Sequence, residues 1–200
     1  MNTIRKSLIL EGNAFREEIR TIVRDIVTMF KSKDEGEYYL PNEVNNQVEY
    51  RFKNFNLEVE LIIQPNEDVD DFLMNAEYYR DEHIIAILIV YNPKKKNQML
   101  YNIVGELNEL VAHELRHIYQ KHNNIYDLNV EEPEEPLDYY TQPHELDAQV
   151  AGFKRMSKIT KRPFEEVVRN WFRTHRDIHN LTNDEEQEVI SKIMEFKSKI

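Results

Sequence analysis

The stretch 98–122 constrains this chain more than any other. Leu100, Ile103, Val104, Leu107, Val111, Leu115 and Ile118 recur at three- and four-residue steps. They trace one apolar arc along a helix that must pack against a second layer. The same helix carries His113-Glu114-Leu115-Arg116-His117, the H-E-x-x-H pattern, with the two histidines at the edge of the arc. Residues four apart project from one helix face, so His113 and His117 can hold one ion between them. Zinc takes imidazole nitrogen at about 2.0–2.1 Å and, where a position stays open, three protein ligands. A third ligand must therefore come from elsewhere in the chain. Glu114 falls within the apolar arc, where an unpaired carboxylate is costly. A metal and its water beside it would remove that cost.

The chain has no cysteine, which excludes disulfides and thiolate ligands and leaves His, Asp or Glu to complete a site. A second helix is predicted to start near Pro143, with Thr141 as its cap and proline in the first turn. It carries His144, Glu145 and Asp147, each able to reach a nearby ion. Ala148 and Gly152 share the face of Glu145. Small residues there let the two helices approach closely.

The other periodicities place this pair of helices in a mixed scaffold. Residues 12–32 read as an amphipathic helix capped by Asn13. Alternation over 44–64 predicts strands, with a turn or a straight run at 54–56. Residues 72–79 read as a short helix and then a strand around 75–79. The run 84–91 is apolar on both faces and predicts a buried central strand. Residues 123–140, with Pro133, Pro136 and a run of glutamates, read as an irregular acidic loop. Two further helices are expected at 163–175 and 184–197, the last capped by Asn183 with Glu186 three residues on. Trp171, Phe164, Val167, Val168 and Phe172 form the apolar face of the first of these.

Two hundred residues suit one domain with an appendage, divided here as 1–158 and a helical extension 159–200. No signal segment is evident, and the apolar run at 84–91 is far short of the roughly twenty residues a membrane span needs. A soluble, cytoplasmic protein with no membrane partner is expected. The net charge of −11 argues against general binding to nucleic acid. The basic segment 154–176 keeps a nucleic-acid arm as a minor reading, although an acidic loop and a basic tail can simply complement one another. His175 and His179, four apart, are expected to be surface histidines rather than a second metal site.

The matched HELRH helix, followed by Glu145-Leu146-Asp147-Ala148-Gln149-Val150-Ala151, resembles the gluzincins. These are zinc peptidases with H-E-x-x-H on one helix and a Glu ligand on a later one. The likeness is to small cytosolic and phage-type members, including the ImmA/IrrE family, and covers roughly residues 75–155. It implies an α+β, zincin-like fold: an N-terminal helix, a small mostly antiparallel sheet, the active helix, a Glu-ligand helix and a helical extension. It implies one zinc ion held by His113, His117 and Glu145, and a protein or peptide substrate hydrolysed by a zinc-activated water with Glu114 as general base. Tyr140 and His144 are the candidates for stabilising the transition state, with Tyr139, His175 and His179 as alternatives. An edge strand at 75–78 would bind substrate by backbone pairing. The chain departs from the family pattern at Gln149, where an Asp is usual; its amide oxygen can still accept from a ligating histidine. The rival reading is a phage or plasmid accessory protein that binds zinc without turnover and acts by binding another protein.

Overall fold

In a computed structural model, which describes residues 2–41, 43, 50–52, 55–79, 82–127 and 133–199, the chain is α+β. It runs through α1 (Asn2–Ser32), β1 (Gly36–Leu40), β2 (Tyr50–Phe52), β3 (Phe55–Pro65), β4 (Phe72–Tyr79), β5 (Ile84–Tyr91) and α2 (Leu100–His122). It ends with α3 (Pro136–Tyr140), α4 (Pro143–Thr160), α5 (Phe164–Thr174), α6 (Arg176–His179) and α7 (Asn183–Lys199). The sheet has the order β1-β3-β5-β4, with β2 paired to β3. Its pairs are antiparallel except β3 with β5, which run parallel. The sheet is therefore mixed, with three of its four pairings antiparallel as expected.

One face of the sheet carries the main core. Val59, Leu61 and Ile63 of β3 and Ile85, Ile87 and Ile89 of β5 are buried against α1 and α2. Helix α1 contributes Ile19, Ile22, Ile26 and Phe30, and α2 contributes Ile103, Leu107, Val111, Leu115 and Ile118. This is the arc read from the sequence. A second core forms on the other side of α4, where Leu146, Val150 and Phe153 meet Phe164, Val168 and Phe172 of α5 and Val189, Ile190 and Ile193 of α7. Helices α5 and α7 thus supply most of a core that α4 completes.

Helices α2 and α4 run antiparallel and close. Arg155 Nε donates to Asn108 Oδ1 at 2.9 Å toward one end, and Gln120 Nε2 donates to His144 O at 2.8 Å toward the other. Between them Ala148 is fully buried and Gly152 lies under Glu109.

Several expectations are corrected. Helix α1 begins at Asn2, so Asn13 lies in its interior rather than at its cap. A mid-helix Asn costs under about 0.7 kcal/mol relative to Ala, too little to stop a long amphipathic helix. Residues 72–79 are strand throughout, because every residue pairs with β5, from Phe72↔Tyr91 to Tyr79↔Ile84. The irregular 123–140 segment contains α3, with Pro136 in its first turn. The cap of α4 is Gln142, not Thr141. The capping pair of α7 sits one residue earlier than expected: Thr182 N donates to Glu185 Oε2 (2.8 Å) and Glu185 N to Thr182 Oγ1 (3.4 Å). Glu186 is instead buried and paired with Arg176 at 3.0 Å. Among the described residues, Arg162, Arg169 and Arg176 of the basic segment pair with Glu166, Glu165 and Glu186; residues 128–132 of the acidic loop lie outside the described residues. The part of the strand expectation at 44–49 falls outside the described residues. Among the described residues, no helix is long and apolar enough to cross a membrane.

The two glycines of this helix pair should respond oppositely to alanine. A Cβ at Gly152 would sit 2.5 Å from Glu109 Oε1 and 3.0 Å from its backbone oxygen. Gly152→Ala should therefore cost about 1–3 kcal/mol by overpacking. At Gly105 the nearest atom is Met156 Cε at 4.0 Å, so Gly105→Ala should gain up to about 1 kcal/mol of helix propensity. Denaturant unfolding of the two variants checks both signs.

Candidate metal centre

The site lies where α2 meets the first turn of α4. The Nε2 atoms of His113 and His117 face each other at 2.9 Å. Glu145 completes a triangle, with Oε1 3.2 Å from His117 Nε2 and Oε2 3.4 Å from His113 Nε2. Ligands around a tetrahedral ion at about 2.0–2.1 Å lie roughly 3.3 Å from one another. The contacts lie close to that spacing, with Glu145 turning a different oxygen to each histidine, and His113, His117 and Glu145 could hold one metal ion.

The electrostatics point the same way. Burial opposes a charged His113, but the Glu145 hydrogen bond and the charges of Glu114 and Glu145 outweigh it and raise the ring to about 9. Burial also acts against the Glu145 carboxylate, yet both histidines hold it far below the ordinary range. The triangle is built around a positive charge. A bound cation supplies that charge in place of a proton.

Behind His117 stands a chain of fixed groups. Gln120 Nε2 donates to His144 O and, at 3.0 Å, to Asp147 Oδ2. Its oxygen is thereby turned to His117 Nδ1, 3.0 Å away. That contact places the imidazole proton on Nδ1 and leaves the Nε2 lone pair facing the site. Asp147 is in turn gripped by Arg116, through Nε at 2.9 Å and a second nitrogen at 2.8 Å. Arg116 is one of the two residues H-E-x-x-H leaves free, and it anchors the ligand helix. Breaking such a buried pair typically costs about 3–5 kcal/mol.

The structure sorts the sequence candidates. Asp147 is engaged by Arg116 and Gln120 rather than facing the histidines. His144 lies beside the triangle, its Nε2 3.5 Å from Glu145 Oε1. Gln149, expected behind a ligand, donates to Tyr140 O at 3.2 Å instead; the amide behind a ligand histidine is Gln120. His179 has both ring nitrogens engaged, by Phe172 O and Leu181 N. His175 stacks on Trp171 with ring centroids 4.6 Å apart and faces Glu106 at 3.5 Å. Neither joins a metal-holding group among the described residues.

In front of the triangle is an open cleft of about 120 Å³. Its walls come from five parts of the chain: Asn75 and Ala76 of β4; Glu109, Leu110, His113 and Glu114 of α2; Tyr139 and Tyr140 of α3; Glu145, Gln149 and Phe153 of α4; and Trp171 of α5. Strand β4 is the last strand of the sheet, paired only with β5 among the described residues. Glu114 is buried in this wall, and burial pushes its carboxyl up despite both histidines. Burial also raises Tyr140 to about 12, helped by Glu145 and Glu109.

Gln120, Arg116 and Glu109 were not singled out from the sequence. Gln120 was within reach of it, since a residue three after His117 shares its face and can meet Nδ1. Comparison with protein-family models, curated proteins and solved structures found no match for this chain.

Gln120→Ala should weaken metal binding about 10–100-fold, as loss of a group orienting a ligand histidine does, while the fold is retained. Competition with a chromophoric chelator measures it. Unchanged affinity would mean that Gln120 does not orient His117.

Proposed function

We propose that this protein is a zinc-dependent peptidase of the gluzincin type, with a zincin-like arrangement of edge strand, active helix and ligand helix. The reading is carried by one observation: a buried Glu114 sits in the wall of an open cleft, directly beside a His-His-Glu triangle of metal-ligand dimensions. Zinc is favoured by its preference for two imidazoles and a carboxylate with an open position. When bound, it lowers the pKa of water toward about 7 and polarises a carbonyl oxygen.

The chain's own residues do the rest. Glu114 takes the proton of the attacking water and later delivers it to the leaving amine. The exposed backbone edge of β4 at Asn75 and Ala76 pairs with the substrate as an added strand and lays it across the cleft. Tyr140, held in its protonated form, donates a hydrogen bond to the oxygen that gains charge on attack. Its ring is fixed against Phe172 and His179, at centroid distances of 6.1 and 6.4 Å. Tyr140 is preferred to His144 because it lines the cleft, whereas His144 stands beside Glu145.

Glu114→Gln should keep its metal and lose hydrolysis of an unstructured protein such as casein, read by mass spectrometry of the products. Full hydrolysis by that variant would end the general-base assignment. Tyr140→Phe should lower kcat about 10²–10³-fold with metal content and KM little changed. A change in KM alone would make Tyr140 a binding residue.

A further inference from the structure

Two oxygen atoms in the wall of the cleft have no hydrogen-bond donor among the described residues: Glu109 Oε2 and Gln149 Oε1. Both side chains are buried, with 3 % and 4 % of their surface exposed, and both line the cleft. A buried acceptor without a donor is rare in folded proteins and calls for an explanation.

The two belong to one place. Glu109 lies one turn before His113 on α2, with its carboxylate over Gly152. Gln149 is three residues before Gly152 on the facing helix α4. The amide of Gln149 cannot simply turn over, because its nitrogen donates to Tyr140 O, so its oxygen is the unpaired atom. The two histidines whose charge reaches Glu109 are already engaged, His113 by Glu145 and His175 by Glu106. Phe153 and Trp171 provide apolar walls beside the pair. An apolar slot ending in a carboxylate and an amide oxygen suits a long side chain with a charged, donor-only tip.

We propose that Glu109 and Gln149 form a subsite for a protonated nitrogen of the substrate, an ammonium or a guanidinium, next to the metal triangle. The inference rests on the cleft being a substrate site, as in the peptidase reading, and adds the preference that reading lacks. A substrate cation donates to both oxygens at once, which a neutral side chain of equal length cannot do. Discrimination therefore comes from the polar pair left unmet by the wrong substrate.

Trp171 is the only tryptophan and lines the cleft, so its fluorescence reports occupancy. The test titrates the zinc-loaded full chain with acetyl-Ala-Lys-Ala-amide, its norleucine and glutamate counterparts, and the norleucine peptide with a free N-terminus. Products are followed in the same samples by mass spectrometry. The lysine peptide should bind at least about tenfold more tightly than acetylated norleucine, and glutamate most weakly. Glu109→Gln, which keeps shape and removes charge, should erase the difference between lysine and norleucine. If the free N-terminus restores tight binding to norleucine, the bound nitrogen is the α-amine rather than a side chain, and the subsite stands. Norleucine binding as tightly as lysine, or no binding by any peptide, overturns the subsite. That result holds on the wild-type chain whatever the variant does. A lysine preference without any cleavage would keep the subsite and remove the peptidase reading. Cleavage without preference would do the reverse.

Discussion

The close antiparallel contact of α2 with α4 is the constraint on which the rest depends. Two of the three side chains that could hold a metal are on one helix and the third is on the other, so the distance between the helices sets the size of the triangle. Metal–ligand distances tolerate only about 0.2 Å, far less than the ordinary play of packed helices. The chain fixes the distance by sterics in the middle and polar ties near the ends. Ala148 and Gly152 bring the backbones together. Asn108 with Arg155, and Arg116 and Gln120 with Asp147, prevent sliding.

This arrangement explains why buried charge is concentrated here. Glu109, Glu114, Glu145 and Asp147 are all buried within a short stretch of two helices, an expensive placement in a chain already carrying net charge −11. Asp147 is neutralised by Arg116 and serves structure. Glu145 is held ionised by two histidines and serves the triangle. At Glu109 and Glu114 burial outweighs the nearby histidines and raises both, Glu109 to about 7. Acids kept in unfavourable surroundings at the wall of a cleft are the usual mark of working groups. The second core, built with α5 and α7, holds α4 from behind and brings Trp171 to the cleft. The C-terminal helices thus help shape the candidate site.

Much of this was legible in the sequence because periodicity and motif agreed. The arc of α2 predicted its buried face, and its two histidines fell where one ion could join them. The small residues Ala148 and Gly152 announced the close helix pair. The central strand was readable from its unbroken apolar run, rich in Ile and Val. What escaped was decided by contacts distant in sequence. Residues 72–75 are strand because β5 pairs with them, not through their own pattern. The group behind His117 is Gln120, turned by Asp147 on another helix, whereas Gln149 was read by analogy with a family position. Trp171 looked like core and proved to be both core and cleft wall. The unpaired oxygens of Glu109 and Gln149 have no signature in a linear pattern, because being unpaired is a property of the assembled neighbourhood.

The central claim is that His113, His117 and Glu145 hold one catalytic-type metal ion. Metal content by mass analysis of the purified chain tests it most directly, alongside Glu145→Ala of confirmed fold. The account predicts about one equivalent of zinc per chain in the first and little or none in the second, as loss of one of three protein ligands implies. Absence of metal from the intact chain even after zinc is supplied, or stoichiometric zinc that survives the substitution, would contradict it.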